Sequence, residues 1–65
     1  LAKLPILKPE DAEKMLLKAG FELIRSKGSH KIYLKDDKRI VIPFHPGKIL
    51  HPKIVNQVLK AVKES

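Results

Sequence analysis

Apolar residues recur along this chain with two different periods, and the change of period divides it into elements. Between Pro9 and Gly20 they fall at Ala12, Met15, Leu16 and Ala19, three and four positions apart, which lines them up on one stripe of an α-helix. Start and stop signals agree with that stripe. Pro9 suits a first helical position, Glu10, Asp11 and Glu13 complement the positive end of the helix dipole, and Gly20 can close the last turn. The pattern predicts a helix over about 9–19, with Met15 as core filler and Lys14 and Lys18 toward water.

Three short segments follow, 21–25, 30–35 and 39–43, with too few residues between them for a crossover helix, so they are expected to pair as an antiparallel meander. Ser26-Lys27-Gly28-Ser29 forms the first turn, where Gly28 supplies a positive φ, and Asp36-Asp37-Lys38 forms the second. In the middle segment Ile32 and Leu34 alternate with Lys31, Tyr33 and Lys35. That alternation predicts an apolar face toward the core and a basic face, carrying Tyr33, toward solvent. Pro43 cannot donate to a ladder, so the third strand ends there or lies at an edge. The stretch 44–51, with Pro46 and Gly47, reads as a loop. Pro52 then opens a second helix to about Lys63, whose wide stripe of Ile54, Val55, Val58, Leu59, Ala61 and Val62 needs a sheet to cover it. The expected architecture is α+β in the order α-β-β-β-α, a three-stranded antiparallel sheet with two helices on one face, formed by residues 1–65 as a single domain.

Size and charge narrow the chemistry. A chain of 65 residues buries only about 60% of its unfolded surface, so a deep metabolite pocket is not expected and an active site would be open and shallow. The net charge of +7 is unevenly placed. Residues 1–24 hold four basic and four acidic groups, whereas residues 25–65 hold ten basic and three acidic ones. An excess of that kind on the sheet and second helix suits a polyphosphate partner, since lysines gain free energy by releasing its counterions. The absence of cysteine excludes disulfides and thiolate metal sites. The start, Leu1 to Leu7, is too short and interrupted for a signal segment, and no run is long enough to span a membrane, so a cytoplasmic protein is expected.

Gly20-Phe21, Arg25, Gly28-Ser29-His30, Pro43, His45 and Leu50, in that order, resemble the HicA family of toxin nucleases over nearly the whole chain. The resemblance implies a fold like that of double-stranded RNA-binding domains, cleavage of mRNA, and silencing by a HicB-type antitoxin. It also implies that the essential histidine after Gly-Ser is His30. Two features depart from the family pattern: Lys53-Ile54 stands where Gly-Thr often opens the second helix, and the customary glycine after that helix is missing.

The residues support the same chemistry on their own terms. An imidazole exchanges protons near neutral pH, which makes a histidine a suitable base for a 2′-hydroxyl, and Lys27 and Lys31 beside His30 can offset charge growing on the phosphorus centre. Gly28 is expected to let a phosphate approach the backbone N–H groups of the turn it shares with Ser29. Arg25, Lys27, Lys31, Lys48 and Lys53 are candidate phosphate contacts, with pairing to Glu22 or a neighbouring strand an equal reading for Arg25, and Tyr33 is a candidate stacking surface for an unpaired base. Ser29 is a turn residue rather than a nucleophile, because neighbours on a strand point to opposite faces. No cofactor and no metal is called for. Zinc binding by His30, His45 and His51 lacks a closely spaced ligand pair, and for His45 the sequence leaves two readings open, a loop residue with a structural hydrogen bond or a secondary role on the RNA. A noncatalytic RNA-binding module is the competing function, whereas a helix-turn-helix fits poorly because a sheet separates the helices.

Overall fold

A computed structural model describes residues 4–64; Leu1, Ala2 and Lys3 of the apolar start lie outside the described residues, as does Ser65. The elements are α1 (Pro9–Lys18), β1 (Glu22–Lys27), β2 (His30–Lys35), β3 (Lys38–Pro43) and α2 (Pro52–Glu64), an α-β-β-β-α order. The sheet is antiparallel with β2 in the centre, and both helices cover one of its faces. At 16 Å in its thinnest direction the molecule has room for one sheet and one layer of helices. Among the described residues no helix is long and apolar enough to cross a membrane.

Helix α1 begins and ends as its sequence dictates. The backbone N–H of Lys8, the residue before the helix, donates to the Asp11 carboxylate at 3.1 Å, half of a capping box. At the other end Gly20 takes φ +103°, its N–H donates to the Leu17 carbonyl, and the Phe21 N–H donates to the Leu16 carbonyl at 2.9 Å. This is a Schellman closure, and its usual hydrophobic contact is supplied by Phe21 and Leu16, both buried. The Lys35 ammonium adds a bond of 2.7 Å to the Ala19 carbonyl, placing a cation at the negative end of the helix.

The two hairpins close more tightly than expected. Strand β1 runs on to Lys27, so only Gly28 and Ser29 form the first turn, with Gly28 at φ +58°. The second turn is Asp36-Asp37 alone, with Lys35 opposite Lys38 and Asp36 in the left-handed region at φ +55°, a conformation aspartate tolerates better than most residues. This register places Tyr33 opposite Ile40 and Lys31 opposite Ile42, so these four side chains share one face.

That face is the one the helices cover, which corrects the assignment drawn from alternation in β2. Lys31, Tyr33 and Lys35 point toward the helices, while Ile32 and Leu34 lie on the open face beside Val41. Tyr33 is fully buried in a core with Leu16, Phe21, Ile42, Val55 and Val58. It is therefore excluded as a stacking surface for a base. Its hydroxyl donates to the Glu13 carboxylate, and burial first, then that hydrogen bond and the carboxylate's charge, push its phenol well above the ordinary value. The two lysines lay their aliphatic stems along the core and bring their charges out at its margins.

Candidate active site

The exposed sheet face and one of its ends carry the functional candidates. Across that face the register aligns Glu22, Leu34 and Arg39, then Arg25, Ile32 and Val41, then Lys27, His30 and Pro43. Arg25, Lys27, His30 and Arg39 are exposed, around a partly buried strip of Ile32, Leu34 and Val41. β1 contains a bulge at Ile24, between Leu23 and Arg25, which adds an exposed apolar residue to this edge strand. Of the candidates, Lys27, Gly28, Ser29 and His30 are brought together by the first hairpin, with Arg25 two residues up the same strand.

The loop after β3 folds back over the foot of β2. The Phe44 N–H donates to the Ser29 carbonyl at 2.6 Å, so Ser29 acts as a backbone anchor at the turn. Beneath this junction Lys31 is held in place: its ammonium lies 3.6 Å from the Glu13 carboxylate and 4.2 Å from the centre of the Phe44 ring, a cation–π contact. Lys31 is thus a fixed charge at the rim, not a mobile arm on the open face. The same loop delivers His45, whose ring lies 6.0 Å from that of His30, edge to face at 84°. Both histidines are exposed.

A groove of about 450 Å³ opens next to His45, between the first turn of α1 and the 44–49 loop. Lys8, Glu10, Phe44 and Lys48 are among its walls, so Lys48 belongs to this end of the molecule. The Lys48 N–H closes the loop onto the His45 carbonyl at 3.2 Å. Lys53 stands apart on the first turn of α2, where its N–H donates to His51 Nδ1 at 3.0 Å. His51 therefore caps a helix, a role open to any side chain with an acceptor near that position. His30, His45 and His51 do not converge, and among the described residues no three His, Cys, Asp or Glu side chains are grouped to hold a metal ion.

Alternation and composition left His45, Phe44 and Glu13 without roles in the site. For His45 a usable signal was present: a tight second hairpin puts position 43 opposite position 30, so the imidazole two residues on falls beside the first. Glu13 could not be found in this way, because its contact depends on how α1 lies across the sheet.

The chain matches the family model described as the HicA toxin of bacterial toxin–antitoxin systems over residues 9–63, which takes in every element from α1 to α2. No curated protein and no solved structure matches it. With the match running through the Gly-Ser-His hairpin and the loop that carries His45, the chain belongs to the HicA family of toxins from bacterial toxin–antitoxin systems.

Proposed function

We propose that this toxin is an endoribonuclease that cleaves mRNA with His30 as the general base, without a metal or cofactor. The observation that carries the reading is the position of His30: exposed at the foot of β2, opposite Lys27, next to a turn whose exposed Gly28 has open space around it, and on the more basic part of the chain. An RNA strand lying along this end would meet Arg25, Lys27, Gly28, Ser29 and Lys48, with Lys31 supplying a fixed charge from below and Lys53 a more distant one. The shallow relief suits a polymer gripped along its backbone better than an enclosed metabolite. The reading is tested by incubating labelled RNA with the purified protein and with its His30→Ala variant; a noncatalytic module would leave the strand intact in both.

The different settings of the lysines have a measurable consequence for affinity. In a His30→Ala background, so that RNA is not consumed, Lys27→Ala or Lys48→Ala is expected to weaken binding to all sequences alike and to flatten the plot of log affinity against log salt by about 0.7 to 0.9 each. Lys31→Ala is expected to flatten it by less than half as much, because Glu13 already balances its charge. Equal slopes for all three variants would mean that RNA opens the Lys31–Glu13 pair, contrary to this account.

A toxin with this open basic end needs a cover in the cell that makes it, and we assign that role to a HicB-type antitoxin with an acidic surface overlapping His30. Charge complementarity would speed its association, and apolar contacts would sustain it. Ile49 is available for such contacts, whereas Leu50 is buried and is not; Ile24 and the Ile32–Leu34 strip supply further apolar surface. Purified antitoxin titrated into His30→Ala protein bound to labelled RNA is expected to displace the RNA. A stable ternary complex would place inhibition on another surface.

A further inference from the structure

Cleavage of RNA by its own 2′-hydroxyl requires two proton transfers at different places. The 2′-oxygen enters on one side of phosphorus and must lose a proton, while the 5′-oxygen leaves on the other side and must gain one. A single imidazole reaches only one of these oxygens at a time, so a second group a few ångströms away is needed for a fast departure. The site holds such a group. His45 lies 6.0 Å from His30, ring centre to ring centre, and both rings are exposed. This spacing is built by the chain: Pro43 is registered with His30, Phe44 is tied to the Ser29 carbonyl, Lys31 holds the Phe44 ring, and the Lys48 N–H fixes the His45 carbonyl.

We propose that His45 is the general acid of the reaction, an assignment that rests on the reading of His30 as its base. His30 accepts the proton of the 2′-hydroxyl as the 2′-oxygen forms its bond to phosphorus. The bond from phosphorus to the 5′-oxygen breaks, and that oxygen takes the proton carried by the His45 imidazolium. The products are a 2′,3′-cyclic phosphate and a 5′-hydroxyl. One proton has moved from the 2′-oxygen to the 5′-oxygen, and exchange with water returns the two imidazoles to their starting states. The groove beside His45, walled in part by Lys8, Phe44 and Lys48, lies where the departing nucleotide would sit.

The test uses an RNA that the parent protein cuts at a mapped position, together with the same strand carrying sulfur in place of the bridging 5′-oxygen there. A thiolate leaves without being protonated, so the sulfur substrate no longer needs an acid. His45→Ala and the bulkier His45→Asn are expected to cut the oxygen substrate roughly 10²-fold more slowly than the parent and the sulfur substrate within a few-fold of it. His30→Ala is expected to be slow on both. If the His45 variants are equally slow on both substrates, or as fast as the parent on the oxygen substrate, His45 is not the acid. If the sulfur rescue appears but His30→Ala cuts at the parent's rate, the base assignment fails while the acid assignment stands. A parent protein that cuts no RNA overturns both.

Discussion

Replacing Tyr33 with alanine is expected to cost about 3 to 5 kcal/mol of stability, the usual range for emptying a buried aromatic site. Total stabilities of about 5 to 15 kcal/mol are typical, and a chain of this length belongs near the lower end, so the variant would retain at most about 2 kcal/mol and unfold at low denaturant concentration. The expectation follows from the complete burial of the ring among residues of both helices and two strands. Tyr33→Phe separates packing from the polar contact. It keeps the ring but removes the donor to Glu13, which retains Lys31 and partial access to solvent, so a smaller loss of about 1 kcal/mol is expected. The neutral phenol is the form stabilised in the fold, so its contribution is complete below the ordinary phenol range near pH 10 and is lost as pH climbs through the higher folded value. Denaturant unfolding of the three proteins checks the order. Were Tyr33 an RNA-stacking residue on the open face, Tyr33→Ala would leave the unfolding midpoint unchanged and lower RNA affinity alone.

Tyr33 also marks where the fold is legible in the sequence and where it is not. The element order, the Schellman exit at Gly20-Phe21, the end of β3 at Pro43 and the stripe of α2 all follow from local signals, because each depends on residues within one or two turns of chain. The side of the sheet that faces the helices depends instead on a single residue in the second turn. A loop of three residues, Asp36 to Lys38, pairs Lys35 with Arg39 and sets Ile32 and Leu34 opposite Ile42 and Ile40, giving an apolar inner face. The observed loop of two pairs Lys35 with Lys38 and sets Tyr33 opposite Ile40. A slip of one position moves every side chain of β2 to the other face. Alternation cannot settle the choice, since lysine stems and a tyrosine ring cover a core nearly as well as isoleucine and leucine do.

The candidate site divides along the same line. His30, Lys27, Gly28 and Ser29 are adjacent in sequence and meet in one hairpin, so their association could be read directly. His45 reaches His30 only through the register of β2 with β3 and the fold of the following loop, and Lys31 is fixed by Glu13 from a helix 18 residues earlier. Such contacts come from tertiary packing, about which spacing says nothing. The same inversion puts Ile32 and Leu34 on the open face beside Arg25, Lys27 and Arg39, giving that surface both an apolar and a basic character.

The second large effect is expected at His30. Its side chain is exposed, lies outside the buried core and has its ring contact with His45, itself exposed, so His30→Ala is expected to keep the unfolding midpoint of the parent within about 0.5 kcal/mol. Affinity for RNA is expected to change little, since the proposed reading spreads binding over Arg25, Lys27, Lys48 and the hairpin backbone. Cleavage is expected to fall by roughly 10²-fold or more, the scale for loss of a general base, with the loss in the rate of the bound complex rather than in its formation. The most direct test of the account is therefore single-turnover cleavage of a labelled RNA by saturating parent and His30→Ala proteins, each first shown to be folded and to bind the strand. Cleavage by the parent and a rate at least roughly 100-fold slower for the variant at equal occupancy are expected; equal rates in the two proteins would remove His30 from the chemistry, and an intact strand with the parent would overturn the nuclease reading.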